Sequence, residues 1–293
     1  MESLGPKWLS YKEAEKMTTT NVHMGYIGGV KIGGTSYFMQ SSSLNPNQSI
    51  TAPDLVAGHE MRRGWVYGKV DPSGNVSGPL HEGSESLWTT AFDRTADKDH
   101  LDNTVAVELA FYKGGGWKFN ECVIKSLEIS ASAGEVVTFT ADFAGRTAVQ
   151  AAGEPTAVDC SKLMTWDRCV FSVDVPAITQ LQSISFNLNN NVTPIYAIQS
   201  TVGDLYPVDL PCGVREITGN MSAYAQGPIF DTGLGADSWA SYEADTAQKD
   251  VNFSVGTIVD VTFKAVFSRP KGSAAPSGPA IYTLEFTAVC DAN

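Results

Sequence analysis

Residues 104–143 contain three consecutive segments in which apolar and polar side chains alternate, and this period of two predicts β-strands. In the first segment the apolar residues occupy the odd positions. The second segment begins at Trp117 and the third at Val137, and both continue the alternation. Glycines lie between the segments, at 114–116 and at Gly134, where the chain can reverse. The pattern therefore predicts a three-stranded meander with one buried face.

The second segment is the longest, and its alternation is interrupted at Glu121 and Lys125. A sheet that is apolar on one side needs another layer to cover it. A helix provides one cover, since Ser84 suits an N-cap and apolar residues recur after it at helical spacing, namely Leu87, Trp88, Ala91 and Phe92. We expect this helix to pack on the apolar face of the meander, against Val105, Leu109, Leu127 and Phe139.

The composition favours an all-β fold with short flanking helices. The 293 residues are 43% hydrophobic and 18% charged, with 27 glycines and 14 prolines. This length suits one large β-domain or two domains of about 145 residues. A net charge of −12 argues against a surface that grips nucleic acid phosphates. The sequence also lacks a long apolar run and a signal-peptide core, so we expect no membrane segment and no secretion by that route.

A first strand or hairpin and then a second hairpin are predicted before the meander. The first covers 28–39, and the second covers 64–80 with a turn at 71–74. Between them, the polar stretch 41–51 contains Pro46 and is expected to form a loop. The sequence thus predicts strands on both sides of a long polar connection.

Strands resume after the meander. Residues 145–161 lack periodicity and indicate a linker, while 269–279 is rich in proline, glycine and serine and indicates a flexible loop. A helix is predicted at 236–247, where Trp239 lies. The strands predicted from alternation are 169–175, 182–188, 193–200, 214–224, 257–267 and 281–290.

The order of elements is repeated along the chain. The segment from Gly64 to Leu80 has a counterpart from Gly213 to Ile229, which begins 213 − 64 = 149 residues later. Each copy is followed by a tryptophan-bearing helix and then by alternating strands. The sequence predicts a duplicated β-domain: an N-terminal arm at 1–24, one domain at 25–150 and a second at 151–293. A chance match between two glycine-rich hairpins is the alternative.

We predict no catalytic, cofactor-binding or metal-binding residues. The cysteines form no C-x-x-C pair and their number is odd, so we interpret them as reduced and structural: Cys122, Cys160, Cys169, Cys212 and Cys290. None of the four histidines lies in a metal-binding motif, and they are His23, His59, His81 and His100. Residues 74–78 superficially resemble a nucleophile elbow, but the serine is displaced. An acidic loop lacks the spacing of a calcium loop, at Asp93, Asp97, Asp99 and Asp102.

Diffuse patterns over most of the chain resemble those of bacteriophage tail tube proteins. The resemblance is strongest over 123–145 and 183–191. Weaker matches are Gly33-Gly34-Thr35, Pro53 to Gly58, and Ser77 to Leu80 before Leu87-Trp88. The resemblance implies a β-sandwich or barrel-like unit with a flanking helix, and it carries no functional site residues.

The same resemblance implies a structural virion protein that polymerises as stacked rings around a channel for genome delivery. Single-domain members form hexamers, so a duplicated chain would form trimers with six tube domains per ring. The implied partners are further copies of the chain and other tail proteins, while DNA passes through the lumen without specific binding. The implied location is the phage tail, after synthesis in the host cytoplasm.

Two hypotheses follow that the sequence leaves open. We expect the lumen wall to be net negative, because DNA must slide past it, although outward-facing acids around a neutral lumen are the alternative. The alternative function is a carbohydrate-binding or adhesin-like β-sandwich, since exposed tryptophan and tyrosine side chains can stack on sugars. Oligomeric state separates the two functions, because only a tube subunit forms rings without a ligand.

Overall fold

The computed structural model describes residues 29–51, 66–94, 99–111, 115–150, 162–173, 181–198, 205–224, 248–268, 271–273 and 281–289. Within these ranges the chain forms sixteen β-strands, one α-helix and one turn of 3₁₀-helix, so the predicted all-β fold is confirmed. The helix is α1 (Glu85–Phe92), and the 3₁₀ turn is Trp166–Arg168.

Strands are numbered in chain order. The first nine are β1 (Gly29–Ile32), β2 (Thr35–Phe38), β3 (Ser41–Ser42), β4 (Asn45–Thr51), β5 (Val66–Pro79), β6 (Val105–Phe111), β7 (Gly115–Ser132), β8 (Thr138–Ala144) and β9 (Thr147–Gln150). The other seven are β10 (Cys169–Val173), β11 (Leu181–Asn189), β12 (Glu216–Tyr224), β13 (Lys249–Val255), β14 (Val259–Phe267), β15 (Lys271–Ser273) and β16 (Ile281–Ala288).

The predicted meander is confirmed as β6, β7 and β8, which pair antiparallel in that order. The two interruptions in its alternation are bulges. The pairing of β6 with β7 slips beside Glu121, whose φ is 50°, and the pairing of β7 with β8 skips Lys125. Bulges bend a strand, and the two halves of β7 accordingly belong to two different sheets. Residues 117–120 pair with β9, and residues 126–132 pair with β11. Gly134 has a φ of 88° in the second turn, as predicted, but Gly115 already belongs to β7.

The strands form two layers that pack face to face. One layer contains β3, β4, β5, β8, the C-terminal half of β7, β11, β12, β16 and β15, and we call it the long sheet. The other contains β2, β1, β6 and the N-terminal half of β7, and separately β10, β13 and β14. Aromatic rings contact one another between the layers. The ring centres of Tyr37 and Phe139 are 5.4 Å apart, and those of Phe171 and Phe286 are 5.6 Å apart. The fold is a β-sandwich.

Two sets of six strands share one neighbour order. In the first set the order is β4, β5, β8, β7, β6, β1, and in the second it is β11, β12, β16, β14, β13, β10. All of these pairs are antiparallel. Corresponding strands also follow one another in the same order along the chain. In that order β1, β4, β5, β6, β7 and β8 correspond to β10, β11, β12, β13, β14 and β16. The two sets therefore have the same topology.

Corresponding strands of the long sheet also share residues. The line of β3 and β4 contains Ser41, Ser43, Asn45 and Asn47, and β11 contains Ser183, Ser185, Asn187 and Asn189 at the same spacing, 142 residues later. Strand β5 contains Gly74-Asn75-Val76-Ser77, and β12 contains Gly219-Asn220-Met221-Ser222, 145 residues later. The cross-strand pair Gly74 and Phe143 recurs as Gly219 and Phe286. These spacings of 142 and 145 residues are seven and four residues shorter than the 149 expected from Gly64 and Gly213.

One joint connects the two sets within the chain. Residues 126–132 of β7 pair antiparallel with residues 183–189 of β11. Helix α1 lies over this joint, where the ring of Trp88 is 4.2 Å from that of Phe92 and 5.6 Å from that of Phe186. The helix contacts β7 and its buried residues join the core that includes Leu127, so its predicted packing on the meander is confirmed.

Two expectations about polar segments are wrong. Residues 41–51 form edge strands on β5 rather than a loop, since an edge strand with an exposed face needs no apolar alternation. Residues 66–79 form one strand rather than a hairpin. Gly74 has a φ of 145°, and a Cβ there would lie 2.5 Å from the carbonyl oxygen of Ser43, so this glycine allows close approach of the neighbouring strand instead of a turn.

Three further expectations need correction. The expected linker contains β9, which pairs with β7. The strand expected at 193–200 is reduced to one bridge, between Ile195 and Asp209, beside Pro194. The loop expected at 269–279 contains β15, which pairs with β16. The arm at 1–24, the helix at 236–247 and residues 151–161 of the linker lie outside the described residues.

We predict that Trp88→Ala destabilises the subunit. The indole is 8% exposed and fills the space between α1 and β11, and deleting a buried tryptophan typically costs about 3 to 5 kcal/mol. Chemical denaturation of the unassembled subunit measures this loss. Trp166→Ala is the matched control, since Trp166 is 46% exposed and its removal should cost much less. Equal losses in the two variants would contradict the packing described here.

Candidate functional site

The exposed face of the long sheet is made almost entirely of small polar side chains, and we call it the polar face. Because side chains alternate along a strand, every second residue of each strand lies on it. Most of the intervening residues are in the core, whereas Ser42, Gln48 and Ile50 of the edge strands are exposed. Its hydroxyl and amide residues are Ser41, Ser43, Asn45, Asn47, Ser73, Asn75, Ser77, Ser126, Ser130, Ser132, Thr138, Thr140, Ser183, Ser185, Asn187, Asn189, Thr218, Asn220, Ser222, Thr283 and Thr287.

Side chains of the polar face bond to one another across strands. The hydroxyls of Ser41 and Ser77 are 2.7 Å apart, and the corresponding hydroxyls of Ser183 and Ser222 are 2.6 Å apart. Ser185 Oγ donates to Glu128 Oε1 at 3.2 Å, across the joint. These bonds satisfy hydroxyl groups among themselves, so the face is a polar surface held in fixed positions.

Charge on the polar face is sparse and mainly negative. Its carboxylates are Asp71, Glu128, Asp142, Glu216 and Glu285. Lys125 Nζ lies 3.2 Å from Asp142 Oδ2 and offsets that charge. Asp142 and Glu285 occupy corresponding positions, each next to an asparagine of the neighbouring strand, Asn75 or Asn220. The same row of serine, asparagine and carboxylate therefore occurs twice on the face.

A buried asparagine holds the joint from behind. Asn190 follows β11 and is 0% exposed. Its Nδ2 donates to the carbonyl oxygens of Ala91 at 2.8 Å and Ile124 at 3.1 Å, and its Oδ1 accepts from Arg94 at 3.2 Å and Arg215 at 3.1 Å. All hydrogen-bonding groups of the amide are thus used. Helix α1, β7 and the start of β12 meet at this side chain.

Arg215 completes the C-terminal end of α1. It donates to the carbonyl oxygen of Phe92, and its guanidinium lies 4.9 Å from the centre of the Phe92 ring. The last carbonyls of a helix lack partners within the helix, and a cation there also interacts favourably with the helix dipole. The end of a helix from the first half of the chain is therefore capped by Asn190 and Arg215 from the second half.

A histidine links two segments beside the joint. His100 Nδ1 lies 3.0 Å from Asp99 Oδ1, and His100 Nε2 lies 3.1 Å from both carboxylate oxygens of Asp209. Neutral imidazole can donate from one nitrogen only, so this arrangement suits the protonated ring. Hydrogen bonds to Asp99 and Asp209 raise the pKa of His100. Partial burial opposes ionisation of Asp209, but hydrogen bonds from His100 and from the Leu210 N–H lower its pKa overall.

The remaining residues singled out from the sequence are dispersed. His81 is buried, with its ring nitrogens 2.6 Å from the carbonyl oxygen of Glu82 and 2.9 Å from that of Ser36. Residues 74–78 lie within β5, so the strand-turn-helix of a nucleophile elbow is absent there. Asp93 accepts a hydrogen bond from Asn103 at 3.2 Å. His23, His59 and Asp97 lie outside the described residues.

Cysteines in the described ranges have no disulfide partner. Burial raises the pKa values of Cys122 and Cys169 to about 12, which leaves both thiols protonated at neutral pH. Within the same ranges no three histidine, cysteine or acidic residues are grouped as metal ligands. No helix in the described part of the chain is long and apolar enough to cross a bilayer.

Sequence reasoning missed the polar face and the asparagine behind it. The face could have been found from the spacing shared by Ser41 to Asn47 and Ser183 to Asn189, but Pro46 and the polar composition made the first copy resemble a loop. Of the three described tryptophans, Trp166 is the exposed one, beside a cavity of about 280 Å³. A single exposed ring is a weak basis for the carbohydrate-binding alternative, which relied on stacking.

Comparison with known proteins gives a family match over most of the chain. The sequence model described as "Phage tail tube protein" matches residues 9–288. Two solved structures are remotely similar: the tail of an empty gene transfer agent particle (10% identity, TM-score 0.35) and the virion of a native gene transfer agent particle (11% identity, TM-score 0.33). Each similarity covers 47% of this chain and 98% of the other chain. No curated protein matches the sequence significantly.

We predict that Asn190→Ala destabilises the subunit by roughly 3 kcal/mol. The change removes the side-chain donor to the buried carbonyl oxygens of Ala91 and Ile124, and each unsatisfied buried group costs about 1 to 3 kcal/mol. Denaturant unfolding of the unassembled subunit measures the loss. Asn187→Ala, on the polar face, is the control and should change stability by less than about 0.5 kcal/mol. A loss that is no larger for Asn190→Ala would show that the buried amide does not hold the joint.

We also predict a pH-dependent contribution from His100. Because its pKa is higher in the folded chain than in the unfolded chain, the stabilisation is complete below the ordinary value near 6.5 and disappears as the pH rises through the folded pKa. The effect is small, since the side chain is 37% exposed. Unfolding free energies of the wild type and of His100→Asn, measured from pH 5 to pH 9, should converge as the pH rises. A constant difference would contradict this assignment.

Proposed function

Because the chain belongs to the phage tail tube protein family, we propose that three copies close each ring of the tail tube and that every copy supplies two tube units. The protein is a structural component of the virion tail. In this proposal each unit consists of four strands of the long sheet, β3–β4, β5, β8 and β7 in the first and β11, β12, β16 and β15 in the second. Stacked rings of six units form the channel.

The observation that carries the proposal is the repeated neighbour order of the two strand sets. Two units with the same topology, joined edge to edge by β7 and β11, support a duplicated tube domain. The domain limits proposed from the sequence, 25–150 and 151–293, place one strand set in each domain. Repetition of Ser41 to Asn47 as Ser183 to Asn189 adds support from the residues themselves.

The pairing of β7 with β11 inside the chain is the basis for proposing how neighbouring chains pair in the ring. Within the described residues, β3–β4 pairs with β5 on one edge, and β15 pairs with β16 on one edge. Strand β3–β4 occupies the position in its unit that β11 occupies at the joint. Strand β15 follows β14 along β16, and it occupies the position that the C-terminal half of β7 occupies along β8. We propose that the edge of β3–β4 in one copy pairs with β15 in the next, as β11 pairs with β7. We call this contact the seam.

Facing residues in the seam can be derived by correspondence. At the joint, Glu128 faces Asn187. Glu128 and Lys271 occupy corresponding positions, because Glu128 pairs with Thr140 and Lys271 pairs with the corresponding Thr283. Asn187 and Asn45 also correspond, because Asn187 pairs with Thr218 and Asn45 pairs with the corresponding Ser73. Asn45 of one copy should therefore face Lys271 of the next.

The dimensions of such a ring suit a channel. Three chains with eight long-sheet strands each supply twenty-four strands. At about 4.8 Å between strands, an untilted barrel of that number measures about 37 Å across between backbones, and strand tilt widens it. Six chains would give about twice that diameter.

The polar face would line this channel. Several of its hydroxyl groups are hydrogen-bonded to one another or to Glu128, and its few carboxylates repel phosphates. A DNA duplex could then slide through without specific binding. The proposed lumen wall is net negative, as expected from the sequence, although most of the face is uncharged. We assign the protein no catalytic activity. We further propose synthesis in the host cytoplasm and attachment to other tail proteins at the ends of the tube.

A disulfide across the seam tests the proposal. Asn45→Cys combined with Lys271→Cys should cross-link neighbouring copies in oxidised tubes, because facing residues outside the hydrogen-bonded positions have Cα atoms about 4.5 Å apart. Cross-linking round a closed ring should end at three chains on a denaturing gel.

The matched control is Glu128→Cys combined with Asn187→Cys, which should form a disulfide within one chain and leave it monomeric on the gel. Products that continue to six chains would contradict the trimeric ring. Absence of intermolecular cross-links, with the control pair oxidised, would contradict the seam.

A further inference from the structure

Among the described residues, β3–β4 pairs only with β5, and residues of the strand hinder pairing at its other edge, which we call the open edge. We propose that these residues, which we call the guard, delay self-assembly of the free subunit. The inference rests on the proposed ring, in which this edge forms the seam with a second copy. It adds that the same strand is kept in a form that pairs poorly before assembly begins.

The direction of backbone groups along β3–β4 follows from one hydrogen bond. The Ser43 N–H donates to the carbonyl oxygen of Asn75 at 2.9 Å, and the Asn75 N–H donates to Ser43 Oγ at 3.0 Å, so Ser43 is a position that bonds to β5. In an antiparallel pair, alternate residues direct both groups to the same side. The backbone groups of Ser42, Leu44 and Pro46 therefore point away from β5, towards the open edge.

Two of these three outward positions offer no free donor. Pro46 has no N–H, and prolines in sheets are found at edges for this reason. The Leu44 N–H donates to Ser42 Oγ at 3.2 Å, so the serine side chain occupies the place where a carbonyl of a second strand would bind. Ser42 itself is exposed. Proteins commonly protect sheet edges against unwanted pairing by such means.

The corresponding strand inside the chain carries no such guard. Strand β11 has Ile184, Phe186 and Leu188 where β3–β4 has Ser42, Leu44 and Pro46. The Asn190 N–H donates to the carbonyl oxygen of Lys125 at 2.7 Å, and the even-numbered residues before it continue this ladder along β7. In the second unit, β11 therefore has a complete hydrogen-bond ladder to β7 of the same chain. In the first unit, the corresponding strand β3–β4 has a guarded edge, at the place where the next chain would pair.

This difference has a consequence for the rate of assembly. When a second copy approaches, the Leu44 N–H must exchange Ser42 Oγ for a backbone carbonyl, and the hydrogen bond missing at Pro46 cannot form. The first seam contact is therefore weak. Rings close when three seams form together, whereas single encounters separate.

The experiment removes the guard from the full-length chain. Ser42→Ala frees the Leu44 N–H, and Pro46→Val supplies a donor at the other position. We expect each change to shorten the lag before purified subunits form tubes by roughly threefold to tenfold, the effect of one hydrogen bond. Light scattering measures the lag, and negative-stain images identify tubes.

Two controls keep the effect specific. Ser42→Thr retains the hydroxyl and should assemble at the wild-type rate, as should Ser41→Ala, which removes a neighbouring hydroxyl that bonds to Ser77 instead. Thermal unfolding of each variant verifies that the subunit is folded. A lag that is unchanged or longer in both Ser42→Ala and Pro46→Val would overturn the guard. If the guard is overturned but the disulfide between cysteines at 45 and 271 still forms in assembled tubes, the proposed trimeric ring is retained and only the guard is rejected.

Discussion

The antiparallel ladder between β7 and β11 is the contact on which the rest of the structure depends. It joins two strand sets of identical order into one long sheet, through residues 126–132 and 183–189. Strand β7 can make this contact because bulges at Glu121 and Lys125 bend it from one layer of the sandwich into the other. Asn190 then fixes the joint from the core side, where it binds α1, β7 and two arginines at once.

The residues repeated between the two halves support the proposed role of the sheet. Core positions differ in the two copies, as Leu44 and Phe186 illustrate, because a core tolerates different apolar residues of suitable volume. The serines and asparagines of the exposed face recur at the same positions, together with a carboxylate at Asp142 or Glu285. An exposed residue that recurs contributes little to packing, so its repetition indicates a function of the surface. A weakly charged hydroxyl and amide wall suits a conduit for DNA.

Most strands with an apolar face could be predicted from sequence, but β13 was missed although Val251, Phe253 and Val255 alternate and are buried, and β5 was predicted as a hairpin. The meander, α1 and most later strands follow from periodicity, and even the bulges were visible as interruptions at Glu121 and Lys125. Residues 41–51 were missed because an edge strand with one exposed face carries no apolar period, and Pro46 indicates a turn unless its outward position is known. Asn190 was missed because its role depends on partners up to 99 residues away in the chain.

The central claim is that the sheet of one chain continues into the next through a copy of its internal joint. A cryo-electron microscopy map of the assembled tube, reconstructed without imposed six-fold symmetry, tests this most directly. The account predicts three chains per ring, β3–β4 paired with β15 of the next copy, and the polar face towards the lumen. Six chains per ring, or a lumen lined by the opposite side of the long sheet, would contradict it.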